Sequence, residues 1–333
     1  KPKGVTHSTG GYLLYTKMTC GDRFGMNSRS IVLTASDAGW INGHTYALFG
    51  PLSLGATSVL LERPMLLLDI SFLKNILKCK ISVLYLPVTL IRLIKAINNN
   101  DINLYCLSDN AAFISEISST AELAWLLILA ANRKIVQLNK RVLTENSWKN
   151  NDLRGNQLKN KTIGIIGFGR LGKMIFKYAK SFDMNILIYD TDKSSTNGYE
   201  DYTKDFYELL RESNIITLHP KLNETSYEMI NSKSLKKMKE GVIIINTSRG
   251  DVINSNDLLD AIKSGKVRFA AMDVLRNEFH SGKLPNDPLI EYALKEDNSD
   301  KILITPHAGG ATLDAHSLVF KHVAETLRDK LYE

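Results

Sequence analysis

The segment Gly167-Phe168-Gly169-Arg170-Leu171-Gly172 has the spacing of a loop that cradles a dinucleotide pyrophosphate. It follows an apolar run at residues 162–166 that reads as a strand, and it opens a stretch at residues 170–181 that reads as a helix. In that setting each glycine has a task. Gly167 permits the tight turn, Gly169 lets the backbone approach the phosphates, and Gly172 lets the helix lie close on the strand, while the helix N-terminus offers unpaired amides to the anion. The next strand ends at Asp190, roughly 20 residues further on, where a ribose-binding acid is expected. Its carboxylate would accept from both ribose hydroxyls and repel a 2′-phosphate, which predicts NAD rather than NADP. Three further side chains stand at or just beyond the carboxyl ends of predicted strands, the edge where an open parallel sheet binds its ligand: Arg249, Glu278 and His307. A guanidinium beside the small Gly250 could hold a carboxylate bidentately. An imidazole could take an alcohol proton as hydride leaves the same carbon. Glu278 could pair with that imidazole and fix its tautomer. Taken singly, each has an ordinary alternative: a surface ion pair, a structural histidine, a solvated loop acid. Asp273 divides evenly between meeting a nicotinamide amide and serving as a strand-end acid.

The elements that must carry these groups are legible as alternating strands and helices. After residue 101 the apolar runs TIGII, NILIYD, NIITLH, VIIINTS, VRFAAMDV and KILITPH are separated by helical stretches, one of them near 205–212 and another closed by Gly265. Continuous apolar strands alternating with helices predict a parallel sheet covered on both faces. A capping box at Ser119-Thr120-Ala121-Glu122 is expected to open a long apolar helix ending near Arg133. Upstream, IVLTAS, GATSVLLE and ISVLYLP are separated by Gly- and Pro-bearing turns and by a helical stretch at 72–78, which reads as an α/β fragment. A polar, helix-unfriendly run, Ile97-Asn98-Asn99-Asn100-Asp101, sets the boundary. The fold class is therefore α/β, a Rossmann-type doubly wound parallel sheet at 101–333 preceded by a separate, truncated α/β fragment at 1–100.

Composition narrows the partners. A chain of 333 residues, 44% hydrophobic and 23% charged, can bury a sizeable core, which excludes the disordered and fibrous classes. The greasiest region, residues 66–94, is interrupted by Asp69, Lys74, Lys78, Lys80 and Arg92, so no membrane partner is expected. Cys20, Cys79 and Cys106 show neither a disulfide pattern nor a metal-ligand spacing, so free thiols, no metal and a cytoplasmic location are expected. The formal charge of +7 is spread along the chain without blocks, which reads as a solvated basic surface and not a specific nucleic-acid site. The chain opens at Lys1 with no signal-type segment and no methionine, so the start is expected to be internal to a longer product or incomplete.

The series STAELAWLLILAANRKI, GNQLKNKTIGIIGFGRLGKM, INTSRGDVI, AAMDVLRNE and ITPHAGGAT, in that order, resembles the D-isomer-specific 2-hydroxyacid dehydrogenases, in particular their phosphoglycerate dehydrogenase-like branch. The resemblance implies an NAD-dependent enzyme that moves hydride between a small D-2-hydroxy acid and its 2-keto acid. It implies that Arg249 binds the substrate carboxylate, that Glu278 pairs with His307, and that His307 is the acid-base. It further implies that His219, the Asn246-Thr247-Ser248 turn, Asp273 and Gly309 line the cofactor, and that homodimers form through the nucleotide-binding domains. Two departures from the family pattern stand out: Phe279 where proline usually follows the glutamate, and His219-Pro220-Lys221-Leu222 where the proline usually sits one position later.

The front differs. KPKGVTHSTGGYLL, SDAGWINGHTYALFGPLSLGATSVLLE and LPVTLIRLIKA resemble an internal piece of the AMP-forming acetyl-CoA synthetases over residues 1–97. Lys1-Pro2-Lys3-Gly4 looks like the tail of their phosphate-binding loop, while the later adenylate-binding motifs and the catalytic-lysine domain are absent, so Trp40, Gly43 and His44 read as relics or packing residues. This fragment stands where the dehydrogenases carry a substrate domain. Three readings follow: a working dehydrogenase of reduced activity, a catalytically inactive NAD-binding module, and the product of a two-gene fusion.

Overall fold

Short runs of β-branched residues form strands, and the amphipathic stretches between them form helices, which gives two separate parallel sheets. The computed structural model describes residues 9–34, 48–61, 69–85, 110–146, 148, 153–278, 284–295 and 300–332. Lys1-Pro2-Lys3-Gly4, Trp40, Gly43, His44, the polar run at 97–101, Cys106 and Phe279 lie outside them. The chain divides into two compact units, Lys1–Cys106 and Leu107–Glu333.

In the first unit, α1 (Thr9–Met18) runs into a π-helical turn at Thr19–Arg23, followed by β1 (Ile31–Thr34), α2 (Gly50–Ser53), β2 (Thr57–Leu60), α3 (Ile70–Leu77) and β3 (Val83–Tyr85). The strands are parallel in the order β2-β1-β3. Cys20, Met26, Val32 and Ala56 pack in one buried cluster, and Leu33 is fully buried as well. Burial pushes the Cys20 thiol up to about 11, which leaves it unreactive, and neither Cys20 nor Cys79 is in a disulfide.

The second unit opens with α4 (Ala111–Ser115), α5 (Ser119–Arg133) and α6 (Ile135–Thr144). Then come β4 (Thr162–Ile166), α7 (Arg170–Ser181), β5 (Asn185–Tyr189), α8 (Phe206–Glu212), β6 (Ile215–Leu218), α9 (Ser232–Lys237) and β7 (Val242–Asn246). The unit closes with α10 (Ser255–Lys263), β8 (Val267–Met272), α11 (Pro288–Ala293), β9 (Ile302–Ile304) and α12 (Leu313–Tyr332). All six strands are parallel in the order β5-β4-β6-β7-β8-β9. From β4 the chain goes first to one side, to β5, and then to the other, to β6. That reversal places a crevice at the carboxyl ends of β4 and β6. Although the strands read as unbroken apolar runs, their side chains alternate between two cores. Ile163, Ile165, Ile243 and Ile245 pack with Ala121, Ala124 and Ile128 of α5 and Ile175 of α7. Ile166, Ile216, Val242 and Ile244 pack with Leu209 of α8, Leu235 of α9 and Leu258 of α10. The doubly wound sheet expected from the sequence is the fold.

One local expectation needs correction. The capping box at Ser119–Glu122 does not form: Ser118 is the N-cap of α5, its hydroxyl meets Glu122 Oε1 at 2.5 Å, and Ser119 Oγ is buried without a protein partner. The short helix α4 delivers the chain to Ser118 already near helical, at φ −97° and ψ −13°, whereas a capping side chain needs an extended backbone to reach the third amide. The α4–α5 stretch stands out for its length and apolarity. Residues Ala112–Arg133 would suffice to cross a membrane by those measures alone. The fold breaks that stretch at 116–118, and α5 is about 22 Å long against the ~30 Å of a hydrocarbon core. Ala121, Ala124, Leu127 and Ile128 of this helix are buried against the sheet.

Candidate active site

The crevice between β4 and β6 is shaped by what three glycines lack. Gly167 has φ +90°, and a Cβ there would stand 2.5 Å from the His219 carbonyl carbon at the end of β6. A Cβ on Gly172 would stand 2.2 Å from the Gly167 carbonyl oxygen. At Gly169 a Cβ would meet nothing within 4 Å. The first and third glycines are thus required by close packing, whereas the second faces open space at the N-cap of α7. An open space at a helix N-terminus suits a pyrophosphate. Phe168, between them, is fully buried against Phe176 and Tyr199, so its side chain faces the core and not the crevice. Arg170 turns its guanidinium to the Ile117 carbonyl just before α5, and Leu171 is half-buried beside it.

Asp190, just past β5, accepts from the Phe168 amide at 2.6 Å and the Asp192 amide at 2.9 Å, one to each carboxylate oxygen. A carboxylate offers about four acceptor positions, so two are left for ribose hydroxyls. His219 contacts Thr217 Oγ1 through Nε2 at 2.9 Å, and its buried Nδ1 has no protein partner. Burial pushes its imidazole down to about 4, so it is neutral at physiological pH. The residues present fit an NAD-type cofactor: a glycine cradle with open space at Gly169, a strand-end acid with acceptor positions left over, and a neutral imidazole with an orphaned buried nitrogen.

The other half of the site lies past β7, β8 and β9. Asn246, fully buried at the end of β7, bends the chain by accepting from the Ser248 amide and hydroxyl and donating to the Arg249 carbonyl. Thr247 is buried with its hydroxyl unpartnered. Arg249 is exposed, with Nη1 donating to the Ser248 carbonyl. The next residue, Gly250, lies directly on the loop past β8, since a Cβ on it would stand 2.2 Å from the Leu275 carbonyl carbon. In that loop Glu278 accepts from the Leu275 amide through Oε2 at 3.0 Å and meets His307 Nδ1 through Oε1 at 2.7 Å. His307 itself adopts a left-handed backbone, φ +52°, a strained state for a residue with a Cβ. Asp273 maintains it. The His307 amide donates to the Asp273 carbonyl, while the Ala308 and Gly309 amides and the Thr305 hydroxyl donate to the Asp273 carboxylate.

Comparison with known proteins adds the decisive observation. The family described as D-isomer specific 2-hydroxyacid dehydrogenase, NAD binding domain, matches residues 125–309, more than half of the chain. The chain belongs to that family. Residues 1–128 match a second family, AMP-binding enzymes, beyond the 97 residues expected from the motifs and into α5, which packs on the second sheet. Among curated relatives, the hydroxypyruvate reductase of Thermotoga maritima is 38% identical over 213 residues, 64% of this chain and 66% of its own length. The D-3-phosphoglycerate dehydrogenase of Archaeoglobus fulgidus is 37% identical over 63% of this chain and 38% of its own length. The chain thus spans less than two thirds of the relatives' lengths. The D-lactate dehydrogenase of Aquifex aeolicus, solved with NAD and lactic acid, shares the fold with a TM-score of 0.62 over 91% of this chain and 96% of its own, at 22% identity.

Within this 2-hydroxyacid dehydrogenase frame, the structure brings Arg249, Glu278 and His307 to one sheet edge and Gly167, Gly169, Gly172, Asp190 and His219 to the neighbouring crevice. The departure at residue 279 does not prevent Glu278 from reaching His307. Reading the residues one by one did not anticipate Asn246 and Thr305, which shape the two loops from within, or the amide-binding role of Asp273. A polar residue closing an apolar strand was the only available signal for each of them.

Proposed function

We propose that the chain is an NAD-dependent oxidoreductase acting on a small D-2-hydroxy acid, with Arg249 holding the substrate carboxylate and His307 exchanging the proton of the hydroxyl. The observation that carries this reading is the 2.7 Å contact between Glu278 and His307 Nδ1, set on a loop that Asp273 holds in a strained conformation beside the Arg249 turn. The bound nicotinamide would supply the hydride acceptor in one direction and the donor in the other. Glu278 commits Nδ1 and so makes Nε2 the nitrogen at which a proton is exchanged, and its charge supports the imidazolium formed when the alcohol is oxidised. In the reducing direction the same imidazolium returns its proton to the new hydroxyl. Gly169 and the first amides of α7 would take the pyrophosphate, and Asp190 would take the ribose, which favours NAD over NADP.

A second reading has its own observation. Residues 1–128 match AMP-binding enzymes by family and not the dehydrogenases, which favours an NAD-binding module without turnover, or a fusion of two genes. Tight NADH binding, followed by oxidation on adding glyoxylate, pyruvate or hydroxypyruvate, tests both readings. Substrate-dependent loss of nicotinamide absorbance supports the enzyme, and saturable binding without oxidation supports the module. We also infer a homodimer through the second unit, because Leu126 on α5, Leu143 on α6 and Trp148 are exposed apolar side chains. Sedimentation of the purified chain at the monomer mass would rule that out.

A further inference from the structure

We propose that Arg276 is a positioning residue that fixes the Arg249 turn against the Glu278 loop and keeps Asp251 from occupying Arg249 in place of a substrate carboxylate. The inference rests on the reading of Arg249 as the carboxylate-binding group. Arg276 stands two residues before Glu278 and joins three segments. Its Nη2 meets Glu228 Oε1 at 2.5 Å, its Nε stands 3.3 Å from Asp251 Oδ1, and its guanidinium lies 5.5 Å over the Tyr227 ring. Asp251 belongs to the 3-10 turn Gly250–Val252 that follows Arg249, and the Glu228 amide donates to the Asp251 carbonyl at 2.8 Å. The Arg276 hydrogen bond holds the Glu228 carboxyl below its ordinary range.

The arrangement answers an electrostatic problem that the turn creates. One carboxylate, Asp251, follows two residues after the residue proposed to bind an anion, and a second, Glu228, belongs to the segment whose amide donates to the Asp251 carbonyl. Without a partner, Asp251 would have Arg249 as an alternative cation only two residues away along the chain. An internal carboxylate on Arg249 competes directly with a carboxylate substrate. The planar fork of Arg276 donates to Glu228 and keeps Nε within ion-pair range of Asp251 without a hydrogen bond to it, a two-sided placement that a lysine ammonium, a point charge, would not reproduce. Gly250 completes the link, because its missing Cβ allows the turn to lie on the Leu275–Arg276 peptide.

The test is binding, independent of turnover. With the chain saturated by NADH, oxamate, an unreactive small 2-keto acid analogue, is titrated against the nicotinamide fluorescence. Arg276→Met should weaken oxamate about fivefold, the weight of one partly exposed ion pair, with NADH affinity unchanged. Adding Asp251→Asn to that variant should restore oxamate binding to within about twofold of the parent, a rescue that a merely structural arginine would not show. Should Arg276→Met fail to fold, Arg276→Lys carries the same test with the same rescue. Parent-like oxamate binding by the Arg276 variant, or no rescue by Asp251→Asn, overturns the proposal while Arg249→Leu still abolishes binding. If the parent never binds oxamate, or Arg249→Leu binds it normally, the reading of Arg249 falls and takes this proposal with it.

Discussion

The two halves of the candidate site are built by opposite means. The crevice at β4 and β6 is made by omission: Gly167 and Gly172 let backbone lie on backbone, and Gly169 leaves a space. The edge at β7, β8 and β9 is made by polar side chains that bind main-chain groups, with Asn246 bending one loop, Asp273 gathering another and Glu278 pinning a third. Omission gives a rigid cradle that a single methyl group disturbs. Side-chain bracing gives a precise placement for one imidazole, and it can be altered without unfolding the sheet.

That contrast can be broken by experiment, most sharply at the imidazole. His307→Ala should reduce turnover on any active 2-keto acid by about 10²–10⁴-fold while leaving NADH binding intact. A parallel loss of NADH binding would show that the two halves are not separable. On the glycine side, Gly172→Ala should cost about 3 kcal/mol of stability, since its methyl would stand 2.2 Å from a carbonyl oxygen of the backbone. A melting temperature unchanged from the parent would refute the packing argument.

Acid offers an intermediate effect on the crevice wall. His219 has its imidazole depressed to about 4, below the ordinary value near 6.5. Between those values the unfolded chain binds a proton that the folded chain does not. Stability from this group is therefore complete above about 6.5 and falls as pH drops, by about 2 kcal/mol at pH 5. Urea unfolding at pH 7 and pH 5 should show that decrement, and His219→Gln should remove it. The smallest effect is reserved for Gly169→Ala, expected to leave stability within about 0.5 kcal/mol and yet weaken NADH about tenfold, because its methyl would fill space and strike no protein atom. Equal NADH affinity would mean that the cradle is not where the pyrophosphate lies.

The same contrast explains what the sequence could tell. Absent side chains leave a fixed spacing, so Gly167, Gly169, Gly172 and the strand ending before Asp190 were legible, as were the strands and their doubly wound order. Arg249, Glu278 and His307 were found as strand-end residues and through family resemblance, although the contact joining Glu278 to His307 is formed between residues 29 apart. Bracing was not legible. Whether Asp273 faces a ligand or its own backbone depends on where the loop past β9 passes, and no local pattern records that. Ser118 and Ser119 teach the reverse caution: the capping spacing was present, but α4 delivered the chain one residue early and in the wrong conformation. The first unit illustrates a further limit. Its apolar runs look much like those of the second, yet among its described residues the fully buried side chains include Cys20, Val32 and Leu33, each from a short run that gives no sign of which partner it meets.

The Asp273 clasp also settles a question of timing. Because the Ala308 and Gly309 amides end on a buried carboxylate supplied by the neighbouring strand, the histidine is put in place when β8 and β9 pair, before any ligand arrives. Hydrogen exchange at those two amides should be slow in the cofactor-free chain and change little on adding NADH. Such a loop is a finished part of the sheet, and a ligand would find its proton carrier waiting.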